Sequence, residues 1–88
     1  MVNALADAGL AVPNPVDNTA QECPAAGCRQ SIVTDTLRVK SFPTAAQAEN
    51  HAAPRGLHRT GRIVVTFAPP LTEAERIPYR QALEGLAN

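Results

Sequence analysis

Eighty-eight residues leave room for one domain and not for two, since a single core approaches comfortable stability only near about 100 residues. Eight Lys and Arg cancel eight Asp and Glu, which removes the long-range positive field of a protein that grips nucleic-acid backbone or anionic lipid and argues against nucleic acid as a partner. The chain is 44% apolar, yet much of that is alanine, with no Trp, one Tyr and two Phe; no apolar run approaches the roughly 20 residues of a membrane span, and so little large side chain favours covalent help for the core.

Residues 2–10 place Val2, Leu5, Ala6 and Leu10 at helical spacing, with Gly9 where a left-handed terminating residue belongs. A short helix is predicted there. Asp7 and the lack of a basic flank argue that this stretch is neither a signal nor a transit peptide, so an exported form would carry its targeting segment elsewhere. Residues 11–28 hold Pro13, Pro15 and Pro24 with Asn14, Asp17 and Asn18. That density of breakers predicts an irregular, proline-rich arm that closes on the two cysteines.

From residue 29 the pattern turns β-branched and alternating: Val33, Leu37 and Val39 share one parity, and Thr34, Thr36, Arg38 and Lys40 the other. One strand over residues 29–42 is predicted, with Asp35 on its inward side as a half-buried carboxylate held by neighbouring hydroxyls or backbone; a partner-facing carboxylate or general base is the sharper alternative. Thr44 and Gln47 form a capping box for an alanine-rich helix to residue 53, ended by Pro54 and Gly56. A second strand follows over residues 62–68, where Ile63, Val65 and Phe67 alternate with Arg62, Val64 and Thr66. After Pro69 and Pro70, Thr72 and Glu75 cap a final helix with an inward stripe of Tyr79, Ala82, Leu83 and Leu86, Ile77 packing at its edge. Pro78 should bend that helix or delay its start.

The expected fold is therefore a single α+β domain: a short helix at 1–10, an arm at 11–28 and an α+β core at 29–88. Its order is helix, proline-rich arm, strand, helix, strand, helix, around a two- or three-stranded sheet. So small a sheet leaves an edge through which an oligomer can form.

Cys23 and Cys28 stand four residues apart with Pro24 and Gly27 between them, a spacing that lets a disulfide form and an even count that suits an oxidising compartment. The plainer alternative is two reduced thiols in a cytosolic protein. A redox centre would favour Cys-x2-Cys at a helix start, and zinc held by Cys23, Cys28, His51 and His58 would need tighter spacing of both pairs. No metal or cofactor is expected. Residues 51–62 gather Arg55, Arg59 and Arg62 with His51 and His58. Arg55, His58, Arg59 and Arg62 are the candidate ligand-binding residues, since guanidinium forks suit phosphate or carboxylate; a solvated loop rim is the plainer reading. Ser31 and Ser41 lack a nucleophile elbow, and the glycines form no phosphate loop, so no catalytic residue is assigned.

The turn Ala8, Gly9, Leu10 leading to Pro13, Asn14, Pro15, the pair Cys23 and Cys28 ahead of Thr34, Asp35, Thr36, and the run Gly61 to Val65 together resemble small extracytoplasmic domains of actinobacterial membrane-anchored proteins and lipoproteins. The resemblance implies an exported domain, tethered by a segment outside this chain, with no reaction to carry over. The expected function is non-enzymatic: an extracytoplasmic binding or accessory domain that contacts a protein or cell-envelope ligand. The alternative is a cytosolic regulatory protein or small enzyme subunit with reduced cysteines, acting within an oligomer.

Overall fold

Thr34 decides the topology of the first half of the sheet. Its hydroxyl accepts hydrogen bonds from the backbone N–H of Thr36 and of Leu37, both at 3.2 Å, and its own N–H donates to the Leu37 carbonyl at 2.8 Å. A threonine that satisfies the backbone two and three residues on makes a turn where its β-propensity alone suggests a strand. The single strand expected over residues 29–42 is therefore a hairpin, and Val33 falls on the opposite face from Leu37 and Val39, because Val33 pairs with Arg38 and Val39 with Ile32. Asp35 sits at the exposed tip rather than inward: its N–H donates to the Pro13 carbonyl at 3.0 Å and its carboxylate accepts from Asn14 Nδ2 at 2.7 Å.

The computed structural model describes residues 2–87. In chain order the elements are α1 (Val2–Asp7), β1 (Val16–Asp17), α2 (Thr19–Ala26), β2 (Gln30–Val33), β3 (Leu37–Ser41), α3 (Ala45–Ala52), a 3-10 turn (Ala53–Arg55), β4 (His58–Thr60), β5 (Ile63–Phe67) and α4 (Glu73–Ala87). The α+β class stands, but the two or three expected strands become a five-stranded antiparallel sheet in the order β1-β2-β3-β5-β4.

The arm is the largest correction. Instead of irregular chain it contains β1 and α2, the latter with Pro24 inside. Pro24 comes late in the helix, where it forfeits one backbone bond without disturbing the first turn. The start is fixed by Asp17, whose carboxylate accepts from the Thr19 N–H at 2.9 Å. The end is fixed by Gly27, whose φ of 78° allows its N–H to reach the Cys23 carbonyl at 2.7 Å. A helix of eight residues is too short to stand alone, so its formation rests on the sheet beneath.

The stretch read as a loop rim likewise contains a strand. β4 pairs with β5 across a two-residue loop, Gly61 and Arg62, with Thr60 opposite Ile63. Gly61 takes φ 58°, which a tight hairpin requires at its first loop position.

The Thr72 capping box forms in full and the Thr44 box in half, Gln47 bonding the Thr44 hydroxyl rather than its N–H. Thr44 Oγ1 accepts from the Gln47 N–H at 3.1 Å and donates to Gln47 Oε1, while Thr72 and Glu75 exchange side-chain and backbone bonds at 2.9 and 3.2 Å. Despite Pro78, α4 runs unbroken through Glu73–Ala87. Tyr79 and Leu83 are buried as expected, whereas Ile77 and Leu86 are each 44% exposed.

Helices cover both faces of the sheet. On one, Leu37 and Val39 of β3 and Val65 of β5 meet Leu5 of α1 and Tyr79 and Leu83 of α4. Tyr79 also donates its hydroxyl to the Ala11 carbonyl at 2.7 Å, and Thr36 Oγ1 donates to the same carbonyl at 2.9 Å. The front of the arm is thus pinned to that face. On the other, Phe42 and Val64 meet Ala48 and Ala52 of α3, and α2 lies over β2.

Candidate functional site

The four basic candidates do not converge. Alternation along β4 sends His58, opposite Val65, to the α4 side and Arg59, opposite Val64, to the α3 side. There Arg59 is neutralised: its Nε donates to Glu49 Oε2 at 2.6 Å and its Nη1 to the Gly61 carbonyl at 3.0 Å. Arg55 lies in a hollow between the end of α2 and α3, donating to the His51 carbonyl at 2.8 Å. Arg62 is exposed in the β4–β5 hairpin loop, near Leu86.

His58 meets instead two arginines that sequence reasoning missed, Arg76 and Arg80 of α4. With Leu57, Val65 and Phe67 they line an open cleft of about 390 Å³ between α4 and the β4–β5 ribbon, a volume within the range of small-ligand sites. Their spacing of four along one helix puts both guanidinium groups on the same side. That signal was legible in the sequence, but which strand α4 would meet was not.

Each group in the cleft is partly held. Arg76 lies over the Phe67 ring, 5.4 Å from its centroid, and donates from Nε to the Leu71 carbonyl at 3.0 Å. Phe67 is itself braced edge-on by Tyr79, 6.0 Å between centroids. The Leu71 bond uses only Nε, which leaves the two Nη groups of Arg76 as an end-on fork. Arg80 spends one Nη on Glu73. His58 is the unsatisfied member: its Nε2 is buried and, among the described residues, has no hydrogen-bond partner, a state that costs about 1–3 kcal/mol unless something fills it. Burial first, and then the Arg80 charge, hold the His58 imidazole below the usual histidine range, with Glu84 acting weakly in the other direction. The ring is therefore mostly neutral at pH 7.

Cys23 and Cys28 are joined, with S–S 2.00 Å and Cα atoms 4.5 Å apart. The bond ties the last turn of α2 to the chain just before β2, and Cys28 packs against the Phe42 cluster. A zinc centre built from the two thiols and both histidines is thereby set aside: the sulfurs are bonded to each other, and His51 stacks on Phe42, 5.2 Å between centroids, across the sheet from His58.

A second polar group lies beneath α2. Glu22 accepts from the fully buried Ser31 hydroxyl, and Lys40 Nζ stands 3.2 Å from Oε2. Arg38 Nε is 3.3 Å from Oε1, a charge contact without hydrogen-bond alignment. Every charge here has an opposite within reach, so the cluster reads as a clamp between helix and sheet. No protein family, curated protein or solved structure matches the chain.

Proposed function

We propose that the chain is a non-enzymatic binding domain that works outside the cytoplasm and holds an anionic group of a protein or cell-envelope ligand in the cleft between α4 and β4–β5. The observation that carries this is the meeting of Arg76, Arg80 and His58 in one open hollow. Guanidinium groups favour carboxylate and phosphate oxygens, and Leu57, Val65 and Phe67 supply walls that lower the local dielectric and strengthen the attraction. The Cys23–Cys28 bond supports an oxidising compartment.

The test is an amide NMR titration with inorganic phosphate, sulfate and acetate. Shifts should gather at His58, Val65, Arg76 and Arg80, and the double change Arg76→Gln, Arg80→Gln should weaken binding by about tenfold or more, since each hydrogen bond to a charged group contributes about 1.5–3 kcal/mol. Shifts confined to Arg55 and His51, or none at all, would place the function elsewhere. For the compartment, thiol counting on protein taken from its natural source should find none free; two free thiols would reverse the placement.

A further inference from the structure

We infer that the cleft receives the free carboxyl end of an extended peptide, whose last residue pairs as an added strand with the main chain of Phe67 while its carboxylate meets the Nη fork of Arg76. This rests on the anion-binding reading above and names the partner class of the same site.

The slot is left by unequal strand lengths. β3 pairs with β5 as far as Phe67, opposite Leu37, whereas β4 pairs with β5 only as far as Val65, opposite His58. Main-chain groups alternate in direction along a strand. The Phe42 N–H donates to the Arg62 carbonyl at 2.8 Å and the Ala68 N–H to the Thr36 carbonyl at 2.9 Å, so the even-numbered residues of β5 turn their N–H and C=O toward β3. Leu37, opposite Phe67, spends both its main-chain groups on Thr34. Phe67 therefore turns its N–H and C=O the other way, to the side of β4, and no β4 residue stands opposite. The chain enters β4 from the α3 side instead: Gly56 takes φ 65°, and the Leu57 N–H donates to the Ala52 carbonyl at 3.1 Å. Among the described residues nothing bonds either group of Phe67. The vacant continuation of β4 is the cleft, lined by Gly56, Leu57, Thr66 and Phe67 together with Arg76 and Arg80. A free donor beside a free acceptor on a strand edge is a template for another extended chain; a bare anion can use only the donor.

Direction and charge select which end of that chain enters. A peptide antiparallel to β5 lies in line with β4 and runs the same way, so its carboxyl end comes up against Leu57 and His58 and the rest leaves past Ala68. Only a free terminus fits. A peptide of the opposite direction would bring its ammonium end to the same place, beside Arg76 and Arg80, where like charges repel. The carboxylate instead finds the Arg76 fork, aimed by the Leu71 carbonyl on Nε and by the Phe67 ring beneath it. Glu73 engages Arg80, and Glu84 faces His58 from α4, so the cleft holds no excess positive charge and recognition rests on directed hydrogen bonds. Residues opposite each other on paired strands share a face. The last side chain of the peptide accordingly lies on the α4 side with Val65 and Phe67, which favours an apolar residue there.

The probe is an N-acetylated tripeptide of threonine, threonine and leucine with a free carboxyl end, titrated into the intact chain and followed by amide NMR. Shifts should gather at His58, Val65, Phe67 and Arg76, and the Phe67 amide should gain protection from exchange as the peptide saturates. The same peptide ending in a carboxamide should bind about tenfold more weakly or worse, because it loses the charge-assisted bonds to Arg76. N-methylation of the leucine, which removes the donor to the Phe67 carbonyl, should weaken binding by a similar factor. Both changes lie on the ligand and leave the protein's fold untouched. Arg76→Lys, which keeps the charge and loses the fork, should weaken the acid several-fold and the carboxamide hardly at all. Equal binding of the carboxamide overturns the carboxyl-end preference, and equal binding of the N-methyl peptide overturns the added strand. Acetate shifting the cleft as strongly as the peptide at equal concentration overturns the peptide class while the anion cleft survives. Protection of the Phe67 amide that grows with protein concentration in the absence of peptide would put a second copy of the chain in the slot and overturn the proposal. No response at the cleft to peptide or to acetate removes the binding reading as well.

Discussion

Leu83→Ala is expected to cost about 2–5 kcal/mol of folding stability, out of a total of about 5–15 kcal/mol for a domain of this size. Leu83 is fully buried and sits where α4, α1 and the sheet meet, in one cluster with Leu5, Leu37, Val39, Val65 and Tyr79. Burying a leucine contributes about 1.5–3 kcal/mol by area, and truncation adds the penalty of a cavity whose walls come from three elements and cannot close together. With so few large side chains, the protein has little else to compensate. Leu86→Ala, one turn on and 44% exposed, should shift stability by no more than about 0.5 kcal/mol. Urea unfolding of the two variants checks the contrast. A Leu83→Ala loss below about 1 kcal/mol would mean that α4 is not anchored through this residue.

The second half of the chain was the more legible because its punctuation is unambiguous. Thr44 with Gln47 and Thr72 with Glu75 name their helix starts, and Ile63, Val65 and Phe67 alternate cleanly. The misread stretches, two in the first half and one at β4, have three physical reasons. Thr34 has the side chain of a strand former, and its role as a turn maker depends on where Leu37 ends up. Pro24 reads as a breaker, although late in a short helix it removes only one bond. β4 is three residues long between two glycines, and it pairs only because β5 is there to receive it. The same non-locality hid the cleft: His58 was visible as a candidate, but its companions lie 18 and 22 positions away on α4, and no local pattern joins them.

Removing the Glu22 charge should loosen α2 from the sheet, and removing the disulfide with it should release the helix beyond its first turn. Cys23 is the one side chain α2 buries, so the helix is not held by an apolar face. Its first residue is tied by the Ser31 N–H, which donates to Thr19 Oγ1 at 3.1 Å, and the rest of the helix is held by two tethers: the Cys23–Cys28 bond and the contacts of Glu22 with Ser31, Lys40 and Arg38. Glu22→Gln keeps the shape and leaves the Lys40 ammonium, its side chain 11% exposed, without its counter-charge, at an expected cost of about 1–3 kcal/mol. Burial opposes ionisation of Glu22, but the Ser31 hydroxyl, Lys40 and Arg38 together outweigh it and hold the carboxyl below the usual glutamate range. A folded value below the unfolded one makes this contribution fully present above the unfolded glutamate value of about 4.3 and lost as pH falls through the folded value. The parent should therefore lose stability on acidification more steeply than Glu22→Gln. The disulfide closes so short a loop that it belongs at the low end of about 0–5 kcal/mol, and its removal should act locally. The front of the former arm stays pinned through the Ala11 carbonyl to Tyr79 and Thr36 and through Asn14 to Asp35, so loosening should begin only at β1. In reduced Glu22→Gln protein, amide exchange should accelerate across residues 16–29 while β3, β5 and α4 keep their protection. Protection retained throughout α2 would show that the Ser31–Thr19 bond is enough to hold the helix, and uniform loss across the sheet would show that the clamp beneath α2 supports the whole fold.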